Sequence, residues 1–273
     1  MKRWFVLLLC ALCLLSACAN EVILGEEKMR IVFFDAGNAD AMLIKTPDTA
    51  VLVDTGLDKN GEDLVASIKA LGVESLDVVF ITHFDKDHVG GADHIFEHFP
   101  VAAVYQPDYH KDSKQYAQYI NAMSAKGITP VTLFENAVLN IGLVQYEIDV
   151  ANDDFYGADE ENDFSLVIRL HTGNAFALLA GDAENPRLGE LLVEGNLKSQ
   201  LLKVPHHGKY EDLSQAFFEA VDMDYAVITS SDDEPEDYLT VTVLKKLGAE
   251  VFLTRQGTVS AITDGLTWRL SQA

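Results

Sequence analysis

His83, Asp85, Asp87 and His88 fall within six residues, in the run Ile81-Thr82-His83-Phe84-Asp85-Lys86-Asp87-His88-Val89-Gly90-Gly91. Neutral imidazole and carboxylate are the side chains that bind borderline divalent metals. The two glycines let the backbone turn tightly around such a run, where Cβ atoms would crowd. Four other polar clusters each close an apolar run: Asp35-Ala36-Gly37-Asn38-Ala39-Asp40, Asp54-Thr55-Gly56, Gly181-Asp182-Ala183-Glu184 and Pro205-His206-His207-Gly208. An apolar strand ending in Gly-Asp or His-His makes a poor core element and a good ligand platform, because strand ends present polar groups to clefts. The chemistry these types support is metal-assisted hydrolysis.

The elements that must position them follow from hydrophobic periodicity. Strands are predicted over 29–35, 41–46, 49–53 and 76–81, with a helix over 62–71 stopped by Gly72. The first metal-type run then leads into a helix over 92–99, a strand over 101–105 and a helix over 113–125. Strands follow over 129–134, 138–140, 143–150, 164–170 and 175–179, interrupted by the acidic, turn-rich stretch 151–163. Helices over 186–193, 213–220 and 240–247 alternate with strands over 201–204, 225–228 and 251–253. A hairpin over 259–262 and 267–270 turns at Asp264-Gly265. Two halves, each of strands followed by helices, predict an α+β protein with two sheets face to face and helices outside.

The order Asp-x-Gly-x-x-Asp, Asp-Thr-Gly, Thr-His-x-Asp-x-Asp-His-x-Gly-Gly, Gly-Asp-Ala-Glu, Pro-His-His-Gly resembles the metallo-β-lactamase superfamily. Within it the chain is similar to the extracytoplasmic hydrolase domain of ComEC-type DNA-uptake proteins and to phosphorylcholine esterases. The resemblance runs from about residue 29 to the C-terminus. It implies an αββα sandwich, residues 29–273, with two divalent ions (Zn²⁺ or Mn²⁺) between the sheets. It implies that His83 and Asp85 bind one ion and Asp87 and His88 the other. Asp182 would bridge them, and one of His206 and His207 would complete the second site. Asp87, His206 and His207 form the expected catalytic set, and Lys203 and Lys209 the expected substrate contacts or proton donors. Asp54 is expected to orient a ligating imidazole, and Asp35, Asn38 and Asp40 to brace the site. Asn38 stands where glutamine is usual in the family. Asp85 replaces a common histidine, which makes Mn²⁺ a serious competitor to Zn²⁺. Two departures stand out. The additional histidine many relatives place before Asp182 is absent, or replaced by Asp163 or water. A Gly-His-Pro-His stretch is replaced by Pro235-Glu236-Asp237-Tyr238-Leu239-Thr240.

Residues 1–17 read as a processing segment, with Lys2 and Arg3 ahead of an apolar run too short to span a bilayer. Leu15-Ser16-Ala17-Cys18 resembles the lipobox of bacterial lipoproteins. It implies an extracytoplasmic chain, lipid-anchored to the membrane through Cys18, with 18–28 as a tether. The other cysteines, Cys10 and Cys13, lie in the removed segment, so neither a disulfide nor a thiolate nucleophile is expected. With 43 acidic against 20 basic residues the formal charge is −23, which repels phosphate backbones and argues against tight, general nucleic-acid binding. His94 and His98 are read as solvent-facing on a helix. His110, beside Tyr109 and Lys111 in a loop, is not counted as a site residue.

The expected activity is hydrolysis of a small-molecule or polymeric phosphodiester. A hydroxide bridging the ions is the expected nucleophile, since coordination lowers the pKa of water to about 7. The alternatives are a lactone, a thioester or a cell-wall phosphorylcholine ester as substrate, or a non-catalytic lipoprotein that binds an envelope component.

Overall fold

The computed structural model describes residues 26–152, 156 and 161–273. The signal and lipobox residues, and Asp153, Asp154, Asp159 and Glu160 of the acidic stretch, lie outside them. The first half builds β1 (Met29–Phe33), β2 (Met42–Lys45), β3 (Ala50–Val53), α1 (Gly61–Ala70), β4 (Leu76–Phe80), the one-turn α2 (Lys86–Val89), α3 (Ala92–His98), β5 (Val101–Pro107), α4 (Lys114–Lys126) and β6 (Val131–Leu133). The second half builds β7 (Ala137–Ile141), β8 (Val144–Asp149), β9 (Val167–Thr172), β10 (Ala175–Leu179), α5 (Asn185–Glu194), β11 (Leu201–Lys203), α6 (Ser214–Val221), β12 (Tyr225–Ile228), α7 (Tyr238–Lys246), β13 (Glu250–Leu253), β14 (Val259–Thr263) and β15 (Trp268–Gln272).

An eight-stranded sheet runs in the order β15-β14-β1-β2-β3-β4-β5-β6 and a seven-stranded sheet in the order β13-β12-β11-β10-β9-β8-β7. Alternation along each strand sends residues to two different cores. In β3, Val51 and Val53 face the core between the sheets, while Ala50 and Leu52 pack against α1 and α3. In β10, Ala175, Ala177 and Leu179 join the inter-sheet core, and Leu178 packs under α5 and α6. Burial on both faces is why these strands read as unbroken apolar runs. The layers are helix–sheet–sheet–helix, the αββα sandwich expected from the sequence.

Within each sheet, one block of strands is parallel: β3 through β6, and β10 through β13. The carboxyl ends of β3, β4, β10 and β11 carry Asp54, Thr82-His83, Asp182 and His206-His207, and it is there that parallel sheets open a crevice. The C-terminal hairpin crosses to the first sheet, where β14 pairs antiparallel with β1 (Val259 opposite Phe33). Most predicted boundaries move by one or two residues and one by three: residues 161–164 make a short 3₁₀ turn, and β9 starts at Val167 rather than at 164. Among the described residues no helix is long and apolar enough to cross a membrane.

Candidate metal centre

The turn after β3 sets the floor of the site. Asp54 has φ 57°, a left-handed conformation that turns its carboxylate back under the end of β4. Its Oδ1 accepts the Thr82 N–H (2.8 Å) and its Oδ2 accepts the Thr82 hydroxyl (2.7 Å), with His88 Nδ1 also 2.8 Å from Oδ2. The Thr55 N–H donates to the His88 carbonyl (2.7 Å), tying α2 to the same turn. From the facing sheet, the Ser165 hydroxyl accepts the Asp182 N–H (3.0 Å) and lies 3.4 Å from His83 Nδ1. Gly181 permits this approach: at φ 53° its Cβ would fall 2.7 Å from Ser165 Cβ.

Four expected ligands converge on one point. Asp182 Oδ2 lies 3.2 Å from His88 Nε2 and 3.1 Å from His207 Nε2, and His207 Nε2 lies 3.3 Å from Asp87 Oδ2. His88 is fully buried, Asp182 is 2% exposed and His207 4%. The opposite nitrogen of each ring is already committed: His88 Nδ1 to Asp54, and His207 Nδ1 to the Thr229 carbonyl (2.8 Å). His83 joins from the side, its ring centroid 3.9 Å from that of His88. Among the described residues, the buried Nε2 atoms of His83, His88 and His207 make no geometric hydrogen bond, and those of His88 and His207 meet only carboxylates. A buried polar atom left unsatisfied is costly, and the two that face the Asp182 carboxylate, those of His88 and His207, fit a divalent ion.

The electrostatics agree. Burial drives the pKa of His83 down to about 3, leaving a neutral ring. Burial also opposes charge on His88, but the Asp182 and Asp54 carboxylates outweigh it and lift that pKa well above 6.5. At His207 burial is likewise overcome by Asp182 and Asp87, giving about 9. Asp182 is pushed up by burial, yet His207, His88 and Lys203 hold it well below the usual carboxylate range. The pocket demands positive charge, which protons on the rings or a divalent cation can supply.

Other expected site residues stand differently. His206 does not join the cluster: with φ 47° it turns the other way, its Nδ1 2.8 Å from Glu184 Oε1 and its Nε2 2.8 Å from Lys209 Nζ. The structure thus separates the pair, His207 facing Asp182 and His206 facing Glu184. Lys203 was expected at the substrate, but it is fully buried, paired with Asp40 and 3.3 Å from Asp182 Oδ1; it neutralises carboxylates from behind. Asp40 lies in the buried centre, its Oδ1 accepting the Thr229 hydroxyl (2.6 Å). Asp35 and Asn38 do not. The exposed Asp35 donates its backbone N–H to Thr258, and Asn38 donates to Glu234 (3.0 Å). Asp163 Oδ1 accepts the N–H groups of Glu184 and Arg187 at the start of α5, and Asp163 is in none of the metal-type clusters among the described residues. His94 bonds Glu62 (2.9 Å) on the outer helical layer.

Asp85 lies at the rim, its Oδ1 4.0 Å from His83 Nε2. Lys111, which the sequence reading passed over, reaches it at 2.5 Å and also pairs with Glu161. Tyr109 was passed over too; its hydroxyl accepts the Phe84 N–H (2.5 Å) and its ring stacks on Phe164. The available signal was an aromatic and a cation flanking His110 in the loop that follows the parallel strand β5.

The sequence model of the family described as Metallo-beta-lactamase superfamily matches residues 34–230. Competence protein ComA of Neisseria gonorrhoeae is 26% identical over 272 residues, covering 97% of this chain and 36% of its own length. ComE operon protein 3 of Bacillus subtilis is 27% identical over 225 residues, covering 76% of this chain and 28% of its own. The chain therefore spans about a third of the length of these curated relatives. Among solved structures, the metallo-beta-lactamase fold protein YhfI of Bacillus subtilis superposes with a TM-score of 0.57 at 11% identity, covering 89% of this chain and all of that one, a likeness of fold. With the family match running through every stretch that builds the centre, from Asp35 to His207, the chain belongs to the metallo-β-lactamase superfamily of metal-dependent hydrolases.

Proposed function

We propose that the protein hydrolyses a phosphodiester at a divalent-metal centre held by Asp87, His88, Asp182 and His207. The observation that carries this reading is the position of Asp182, within 3.2 Å of the Nε2 atoms of two imidazoles from opposite sheets. A bound Zn²⁺ or Mn²⁺ would supply Lewis acidity, lowering the pKa of water toward neutrality and offsetting charge on the phosphoryl oxygens. The protein's own groups do the rest. Asp54 and the Thr229 carbonyl hold the rings of His88 and His207 in one orientation, so the ligand cage costs no rearrangement. Water loses one proton to solvent and adds to phosphorus, and the ester P–O bond breaks. The departing oxygen takes a proton from the Lys209–His206 pair, in which the exposed ammonium donates to His206 Nε2 and Glu184 stands at Nδ1.

The resemblance to DNA-uptake relatives, two of them named for competence or its operon, supports a phosphodiester over an amide. The acidic run Asp232, Asp233, Glu234, Glu236 and Asp237, held beside the His206–His207 turn by the Asp237 N–H donating to the Gly208 carbonyl (3.1 Å), favours a short or small diester over a long polyanion. Turnover of bis-p-nitrophenyl phosphate by the metal-loaded protein tests the reading. It should vanish in Asp182→Asn; equal rates for the two proteins would end it.

Extracytoplasmic anchoring through a lipidated Cys18 belongs to the same proposal and rests on residues 15–18. Cys18→Ala should release the protein from the membrane fraction, and an unmodified Cys18 by mass spectrometry would dismiss it.

A further inference from the structure

We propose, resting on the metal-hydrolase reading above, that the Lys111 ammonium takes the place of a cation in the His83–Asp85 half of the centre. The protein then holds one divalent ion, in the Asp87–His88–Asp182–His207 half, and a lysine in the other. The two halves are built unequally. Asp87, His88, Asp182 and His207 bring four donor atoms within 4.8 Å of one another, the number a zinc-type site uses. Among the described residues, no such cluster of three metal-binding groups includes His83 or Asp85.

Among the described residues, nothing completes the weaker half. His83 Nδ1 is taken up with the hydroxyls of Thr82 (3.1 Å) and Ser165 (3.4 Å), which fixes the ring but adds no carboxylate. Asp163 Oδ1 is taken up by the N–H groups at the start of α5, and Asp163 joins no metal-type cluster among the described residues. What does meet Asp85 is a cation from the protein itself. Lys111 Nζ lies 2.5 Å from Asp85 Oδ1 and pairs with Glu161, and only a fifth of the lysine side chain is exposed. An ammonium has three N–H donors on a compact charge. Two carboxylates use two of them, and the third remains for an anionic oxygen of the substrate. A second dication at His83 would have to take Asp85 from the lysine and then bear the lysine's repulsion.

Metal stoichiometry decides this without recourse to turnover. Wild type, K111R, K111M and K111Q are loaded with excess Mn²⁺ or Zn²⁺, freed of unbound ion by gel filtration and counted by plasma mass spectrometry. Wild type and K111R should carry one ion per chain, and K111M and K111Q two. Two ions in wild type would overturn the proposal and leave the hydrolase reading intact. So would a single ion in both uncharged variants. No ion in any of the four would remove the metal reading beneath it as well. Melting of each variant without metal reports on folding, and K111Q stands in if K111M is unfolded.

Discussion

Asp54 Oδ2 stands 2.8 Å from His88 Nδ1, so a buried carboxylate, not solvent, decides which nitrogen of that ring faces the cleft. Burial raises the pKa of Asp54, and the His88 ring opposes that rise. Asp54→Asn is a clean probe, because asparagine tolerates the left-handed backbone found at this residue. The amide keeps the shape and loses the charge that makes His88 a better donor. Metal affinity should fall about 10–100-fold, the usual effect of removing such a partner, as read by competition with a chromophoric chelator. Unchanged affinity would mean that Asp54 serves only the Thr82 turn.

The metal-free protein should be most stable near pH 6.5 and weaken on both sides. The folded-state pKa of His207 is raised to about 9. Its contribution is therefore complete below the unfolded value near 6.5 and is lost as pH rises through 9. His88 acts in the same direction. His83 has the opposite sign: depressed to about 3, it stabilises above 6.5, and that contribution is lost as pH falls toward 3. Bound metal should reverse the alkaline limb, because ligation needs deprotonated rings. Melting temperatures from pH 4 to 9.5, with and without Mn²⁺, check this. An alkaline rise in the stability of the metal-free protein would contradict the charge arrangement described here.

Neighbouring histidines with opposite orientations predict separable losses. His207→Asn should abolish metal binding. His206→Asn should leave metal content and melting near those of wild type while lowering turnover roughly 10²–10⁴-fold, the range of a general acid–base group. Asparagine suits both positions, since φ is 47° at His206 and 51° at His207. Calorimetric metal titration and diester turnover on the same samples distinguish the two roles. Loss of metal by His206→Asn would return that residue to the ligand cage.

The centre was legible where ligand-type residues close apolar runs, because a buried parallel strand leaves little else to explain Asp182 or His83 at its end. The layering was legible for the same reason. The choice between His206 and His207 was not, since it depends on two consecutive left-handed residues whose side chains leave in different directions. Asp35, Asn38 and Asp40 form one motif in sequence, yet the turn after β1 brings only Asp40 to the buried centre. Lys111 lies 26 residues from Asp85, and only the packing of the β5–α4 loop joins them. Lys203 is instructive in another way. It follows Leu201 by two positions in β11, and Leu201 belongs to the inter-sheet core. Alternation alone places the lysine inward.

That inward lysine supports the last prediction. Lys203 and Asp40 are both fully buried and paired, with the Gly181 carbonyl accepting a further Lys203 N–H at 2.9 Å. Burial works to lower the Lys203 pKa, and Asp40 and Asp182 overcome it, so the ammonium stays charged. Lys203→Met leaves Asp40 and Asp182 without their cation, and Asp40→Asn leaves the lysine with Asp182 alone. Removing one partner of a buried ion pair costs about 3–5 kcal/mol, whereas replacing both by neutral groups is much milder. Each single variant should therefore lose stability on that scale in urea unfolding of the metal-free protein. The double variant should lose far less than the two combined, a coupling that contact between the residues requires. Additive losses would show that Lys203 answers mainly to Asp182. In that case, adding metal, which itself neutralises Asp182, should recover much of the stability of Lys203→Met.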